Sequence, residues 1–253
     1  MNLLDLTGKR ALVIGAGGIG SALAAGLAKH GAEVALADRN LQSAEAAAAR
    51  VRAFGCRSQA QEIDVTDEES VTALARTLSD SWGGVDILIN AAGVAARTPT
   101  ESLAVDKLRE TLEVNTIGTF LCCRVFGGEM MRREGGKIVN ISSVRARYGT
   151  RGGMVDYCAS KGAVDSLTRA LAVEWAPYRV YVNAIAPTVV ETEFTASILA
   201  DPKAAANLVE RIPLGRWAHP DDLVGPVLFF ASAASDFVTG QILFVDGGLT
   251  AVV

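Results

Sequence analysis

The chain has 253 residues, half of them hydrophobic, with a formal charge of −4 and a pI near 5.3. That length fits one large α/β domain or two small ones, and the apolar content suffices for a substantial core. The acid excess argues against nucleic acid or an anionic membrane surface as main partner.

The N-terminal "MNLLDLTGKR" carries no apolar signal core, and no run of 18 apolar residues occurs anywhere. A soluble, cytoplasmic protein with no membrane partner is therefore expected. Cys56, Cys122, Cys123 and Cys158 lack CxxC spacing and read as buried free thiols of a reducing compartment.

In chain order, residues 11–15, 33–37, 58–65, 85–90, 137–142, 180–185 and 242–246 read as strands, the third being the weakest. Most are apolar at successive positions, the pattern of strands covered on both faces in a parallel sheet. Between them, 18–30, 41–53, 67–82, 106–134, 155–175 and 221–233 read as helices. Thr66-Asp67-Glu68-Glu69 and Pro220-Asp221-Asp222 look like helix starts with acidic first turns. Such alternation predicts right-handed βαβ crossovers, an α/β fold and one doubly wound domain over 1–253. The helix-like stretch 192–214 breaks the rhythm. Ligands of such sheets sit outside the carboxyl ends of the strands, so we read it as a substrate lid.

Gly15, Gly17, Gly18, Ile19 and Gly20 follow the first strand and open the first helix. Glycines there permit a tight turn and close approach of a pyrophosphate, which the helix N-terminus attracts. Asp38 ends the second strand, where a carboxylate can accept from ribose hydroxyls and would repel an extra phosphate. Arg39 beside it could pair with that phosphate. The balance favours NAD over NADP.

Tyr157 and Lys161 are four apart on a predicted helix and share one face. A nearby ammonium favours the phenolate, so the pair suggests a general acid/base whose pKa falls toward 7. Ser143, just past a strand end, is placed to hydrogen-bond the reacting oxygen. A hydrolytic triad has little material, because His30 and His219 are the only histidines and neither adjoins a nucleophile motif. No cluster has metal-ligand spacing, so no metal is expected.

Taken in order, "GGIG" (17–20), "DV" (64–65), "NAAG" (90–93), Asn115, "SS" (142–143), "YCASK" (157–161), "VNAIAP" (182–187) and "VDGG" (245–248) resemble the short-chain dehydrogenase/reductase family over essentially the whole chain. The resemblance implies a Rossmann sheet of order 3-2-1-4-5-6-7 and an NAD(P)-dependent oxidoreductase. It implies Tyr157 as acid/base, Lys161 as its partner and ribose ligand, Ser143 as substrate-orienting serine and Asn115 as holder of a relay water. Asp64, Val65, Asn90, Ala91, Gly93, Pro187, Val190 and Thr192 fall at cofactor-contact positions. Homotetramers are usual in the family, with 106–134 and 155–175 paired across one interface. The chain departs from the pattern at Ile14, where threonine is usual, in a glycine segment one residue short, and at Ala91 and Thr188. Ser143 and Tyr157 are also one residue further apart than expected, which Gly152-Gly153 can absorb.

Arg97, Arg145, Arg147 and Arg151 lie near the expected pocket and suit carboxylate or phosphate recognition. "ARTP" (96–99) and "PLGRW" (213–217), with the segment that follows, resemble the gluconate 5-dehydrogenase branch, which acts on sugar acids and polyols. The expected substrate is hydroxyl-rich and anionic, with Arg97 as its first charge partner. The rival reading is an NADPH-dependent 3-oxoacyl-carrier-protein reductase. From another class comes a non-catalytic NAD(H) sensor or scaffold, which would be expected to lose Ser143, Tyr157 or Lys161.

Overall fold

The computed structural model describes residues 2–150 and 152–252. Seven parallel strands form one sheet: β1 (Arg10–Ile14), β2 (Glu33–Asp38), β3 (Ser58–Glu62), β4 (Ile87–Asn90), β5 (Gly136–Ile141), β6 (Val180–Pro187) and β7 (Ile242–Val245). Their order is β3-β2-β1-β4-β5-β6-β7, as the family resemblance implied. The register places Ile14 opposite Ala37 on one side and Asn90 on the other, so the three strand ends that carry the glycine turn, Asp38 and Ala91 lie together.

The continuous apolar runs have a direct cause. Ala11 and Val13 enter one buried cluster, with Leu23, Leu27 and Phe230, while Leu12 and Ile14 enter the other, with Leu78, Phe126 and Trp175. Successive side chains point to opposite faces, and helices cover both. β3, "SQAQE", is the sheet edge and only partly buried, which is why its signal is weak.

The helices are α1 (Gly18–Lys29), α2 (Leu41–Arg52), α3 (Glu68–Trp82), α4 (Val105–Leu112), α5 (Gly118–Arg132), α6 (Val155–Trp175), α7 (Ala196–Leu199), α8 (Pro202–Glu210) and α9 (Val224–Ala231). The α3 start is as read: Asp67 caps it by accepting from Glu69 N–H at 2.9 Å. The long helix expected over 106–134 is instead α4 and α5 joined through a π turn, Glu113–Ile117. Residues 220–223 form a separate 3₁₀ turn before α9. Cys122 and Cys123 are buried thiols, whereas Cys56 and Cys158 are partly exposed, correcting the expectation for those two. Among the described residues, no helix is long and apolar enough to cross a membrane, and no group of three metal-ligating side chains forms.

Candidate active site

A cleft of about 1520 Å³ opens over the carboxyl ends of the strands. Its walls include Gly15, Gly17, Gly18, Ile19, Gly20, Asp38, Arg39, Asp64 and Val65 at one end and Ser143, Arg145, Tyr157 and Lys161 at the other.

The glycine turn is built as its spacing requires. Gly15 has φ +96°, and a Cβ there would lie 2.6 Å from Ala92 N. At Gly20 a Cβ would lie 1.8 Å from the Gly15 carbonyl oxygen, so only glycine lets α1 close onto β1. The N-cap of α1 is Gly17, which offers no side chain to the free N–H groups of the first turn. An uncapped helix start facing a cleft fits a pyrophosphate. Asp38 Oδ2 accepts from Ala16 N–H at 2.7 Å and Oδ1 from Asn40 N–H at 2.8 Å. The carboxylate braces the turn and, at the cleft wall, has lone pairs left to accept further hydrogen bonds. These residues fit a dinucleotide.

At the other end, Tyr157 and Lys161 project from one face of α6. Lys161 is buried; its Nζ donates to Ile141 O at 2.7 Å and lies 5.6 Å from the Tyr157 ring centroid. Burial lowers its pKa to about 8, against the pull of Asp165. The Tyr157 phenol moves the other way from the sequence expectation: burial pushes it up to about 12, while a hydrogen bond with Ser143 and the charges of Arg97 and Arg145 pull it down. A phenolate loses more hydration in this wall than the cations return. Ser143 Oγ also accepts from Arg145 N–H at 3.1 Å and faces Pro187 O at 3.4 Å.

Asn115 is fully buried in the π turn. Its Nδ2 donates to Val94 O and Ser160 Oγ, both at 2.9 Å, and its Oδ1 accepts from Val94 N–H at 2.8 Å. Its side chain is thus occupied in pinning the β4 loop to α6, and its own carbonyl accepts from Thr119 Oγ1 at 2.8 Å. The π turn supplies the extra residue that turns this amide toward Val94, a common use of π bulges near sites. Gly93 keeps that packing open, since a Cβ would lie 3.3 Å from Asn115 Oδ1 and 3.6 Å from Lys161 Nζ.

Asn90 departs from its expected place. Its amide donates to Asn140 Oδ1 at 2.9 Å and to Cys123 Sγ at 3.3 Å, beneath the sheet end rather than along the cleft wall. Ala91, Gly93, Pro187, Val190 and Thr192 do line the cleft. A Cβ on Gly18 would lie 2.8 Å from Thr192 Cγ2, so the start of α1 and the segment after β6 meet directly.

Residues 192–214 form part of the cleft wall, contributing Thr192, Glu193, Phe194, Ile198, Asn207 and Arg211. Arg97 adopts a left-handed backbone, φ +53°. Its guanidinium donates to Phe194 O and, at 3.4 Å, to Ser197 Oγ, and stacks 4.5 Å from the Phe194 ring centroid. The same ring lies 6.0 Å from that of Tyr157. Arg97 therefore fastens the covering segment rather than standing free for a substrate anion. Arg147 points away, over Tyr148 and Phe244. Arg151 lies outside the described residues. Asn207 and Arg211 went unnoticed in the sequence because nothing local marks which face of α8 meets the cleft. Gly153, φ +74°, seats the extra residue before Tyr157: a Cβ would lie 2.4 Å from the Thr98 carbonyl carbon.

Fold and site together define a nucleotide-dependent oxidoreductase architecture with a tyrosine–lysine–serine floor. A family model described as "Enoyl-(Acyl carrier protein) reductase" matches residues 14–250. Gluconate 5-dehydrogenase of Gluconobacter oxydans is 40% identical over 250 residues, covering 98% of this chain and 97% of that one. 5-keto-D-gluconate 5-reductase of Escherichia coli is 37% identical over 253 residues, covering 100% and 99%. The crystal structure of a gluconate 5-dehydrogenase from Burkholderia cenocepacia in complex with NADP and tartrate matches with TM-score 0.95 and 39% identity, covering 100% of this chain and 99% of that one. The chain belongs to the short-chain dehydrogenase/reductase family, and it is an NAD(P)-dependent oxidoreductase of CH–OH groups.

Proposed function

We propose that this enzyme interconverts a secondary alcohol and a ketone on a sugar acid or closely related polyol. The observation that carries the chemistry is the convergence of Tyr157, Ser143 and Lys161 on one cleft wall, opposite the uncapped glycine-rich start of α1. The substrate class rests on the names of the relatives, gluconate 5-dehydrogenase and 5-keto-D-gluconate 5-reductase, and on the arginines that line the cleft.

A bound nicotinamide would supply the hydride donor or acceptor and, when oxidised, a positive charge near the phenol. In ketone reduction, Tyr157 Oη donates its proton to the carbonyl oxygen while Ser143 Oγ hydrogen-bonds the same oxygen. A phenol held near 12 is protonated at neutral pH and suits that direction. In alcohol oxidation, Tyr157 Oη takes the hydroxyl proton, and the charges of Arg97, Arg145 and Lys161 favour its ionisation. Lys161, at about 8, is still mostly cationic at pH 7. Asn115 holds the loop that shapes this floor.

For the cofactor, the reading is NAD ahead of NADP, because Asp38 stands where the ribose hydroxyls would bind; exposed Arg39 offers a route to NADP. Segment 192–214 serves as a lid fastened by Arg97. The assembly we infer is a homotetramer, with Val105, Ile117, Val155 and Val173 exposed on the helices it would pair.

A screen of sugar acids and polyols with both cofactors, followed by Tyr157→Phe, tests the reading. Turnover of at least one such substrate is expected, with a loss of about 10³-fold or more in the variant. Undiminished turnover in Tyr157→Phe would overturn the mechanism. Turnover only of 3-oxoacyl thioesters with NADPH would favour an acyl-carrier reductase instead.

A further inference from the structure

Four arginines line the cleft, Arg39 at the glycine-turn end and Arg97, Arg145 and Arg211 elsewhere, and none has an ion-paired carboxylate among the described residues. Arg145 follows β5 on a short 3₁₀ turn, Val144–Ala146, capped by Ser143. Its guanidinium makes one hydrogen bond, from Nη1 to Gly149 O at 3.1 Å. Arg211 ends α8 on the covering segment. Both line the cleft. Arg145 is partly buried, and burial depresses its ionisation; the Arg211 guanidinium adds to that, while the Cys158 thiol and the Tyr157 phenol oppose it. Tyr157, Arg145 and Arg211 thus share one cleft, Arg145 on the turn after β5 and Arg211 on the segment 192–214. The nearest cation that sequence pattern suggested, Arg97, is already bound to Phe194 and Ser197.

Two guanidiniums lining one cleft, each without an ion-paired carboxylate, raise each other's electrostatic energy. Such an arrangement is relieved by an anion placed between them, and guanidinium geometry matches a carboxylate best. One of the pair is fixed to the sheet and the other rides on the covering segment, so a shared anion would also draw the two walls together.

We propose that Arg145 and Arg211 form the carboxylate subsite of this enzyme, gripping the acid group of a sugar acid on a carbon other than the one that reacts at Tyr157. Arg97 acts instead as the fastener of the lid. This assignment rests on the sugar-acid reading above and adds which residues meet the acid and what closes on it.

The test compares D-gluconate with D-glucitol, its neutral counterpart of equal length, in the full-length wild type and in Arg145→Gln, Arg211→Gln and Arg97→Gln. Calorimetric binding to the cofactor-loaded protein and the ratio of kcat/KM, acid over polyol, are both read. Circular dichroism melts check that each variant is folded, and Arg211→Lys serves as a milder variant. The expected result is a fall in the acid-to-polyol ratio of about tenfold or more in Arg145→Gln and in Arg211→Gln, with a non-additive double variant. Arg97→Gln is expected to weaken both substrates alike. An acid preference in the wild type that survives in both subsite variants would overturn the assignment while leaving the sugar-acid reading intact. Equal handling of acid and polyol by the wild type would overturn the subsite and leave the polyol half of the proposed function, whereas turnover of neither, nor of any sugar acid or polyol in the screen, would overturn both.

Discussion

Ser142 Oγ donates to Asp165 Oδ1 at 2.5 Å, and Asp165 stands four residues beyond Lys161 on the same face of α6. Tyr157, Lys161 and Asp165 therefore run along one helical stripe, with the first two facing the cleft and the third below them. Burial pushes the Asp165 carboxyl up, while the Ser142 hydrogen bond and the charges of Arg169 and Lys161 draw it down. As an anion it supports the ammonium of Lys161, whose own ionisation burial disfavours.

Replacing that charge has a predictable sign. In Asp165→Asn, Lys161 loses the one carboxylate that favours its protonated form, so its pKa falls below about 8. The alkaline limb of the kcat/KM profile moves to lower pH, with a loss of roughly three- to tenfold at pH 8 and less at pH 6. A purely structural role for Asp165 would lower activity equally across the profile. A pH series on wild type and variant separates the two.

The glycine turn makes the second prediction. A Cβ at position 20 would lie 1.8 Å from the Gly15 carbonyl oxygen and 3.0 Å from its carbon, backbone atoms that cannot swing aside as a side chain would. Gly20→Ala should part α1 from β1, weaken dinucleotide binding by about a hundredfold or more, and cost about 2–4 kcal/mol of stability. Gly17→Ala, where a Cβ would meet nothing within 4 Å, should be mild by both measures. Fluorescence titration with NADH and thermal melts read the contrast.

The proposed preference for NAD makes Asp38 the third test. Because its two oxygens hold Ala16 and Asn40 N–H groups, Asp38→Ala removes a brace and a negative charge together. The expected outcome is weaker NAD use and a shift of the NADP/NAD kcat/KM ratio toward NADP by about tenfold. Asp38→Asn keeps an acceptor without the charge and should shift the ratio with less damage to the turn. An unchanged ratio in both variants would remove Asp38 from cofactor selection.

At the opposite ends of the strands, Asp86 joins β1 and β4 to the end of α5. Its carboxylate accepts from Arg10 N–H at 3.0 Å, Arg10 Nε at 2.9 Å, Arg10 Nη2 at 2.8 Å and Arg133 Nη1 at 2.9 Å. Burial alone would raise its pKa, yet the Arg10 hydrogen bonds and the Arg10 and Arg133 charges hold it below the ordinary carboxylate value. A depressed folded-state pKa means this stabilisation is present above the unfolded carboxyl's pKa, about 3.9, and is lost as pH falls through the folded value. Asp86→Asn should cost about 2–3 kcal/mol at pH 7 and lower Tm by about 5–10 °C. The difference from wild type should shrink in acid, and kcat/KM at 25 °C should be unchanged. Melting curves at pH 7 and pH 3 check this.

Much of the architecture is legible locally. The runs "ALVI" (11–14) and "VALA" (34–37) are apolar at every position because both sheet faces are covered, and that pattern survives in one dimension. β3 was faint because an edge strand has less to bury. The break at Asn115 left no periodic trace: the residues on both sides are helical, and the π turn exists to bring one amide against Val94, a contact across 21 residues of chain.

Sequence by itself determined the sheet, the glycine turn and the placing of Tyr157, Lys161 and Ser143, because strand burial, turn geometry and helical spacing are set by near neighbours. Tertiary structure alone decided that the Tyr157 phenol lies high rather than low, that Asn90 faces Asn140, and that Arg97 holds Phe194 while Arg145 and Arg211 line the cleft with no ion-paired carboxylate among the described residues. Those outcomes depend on desolvation and on partners brought from distant parts of the chain, and neither quantity is written in the spacing of a motif.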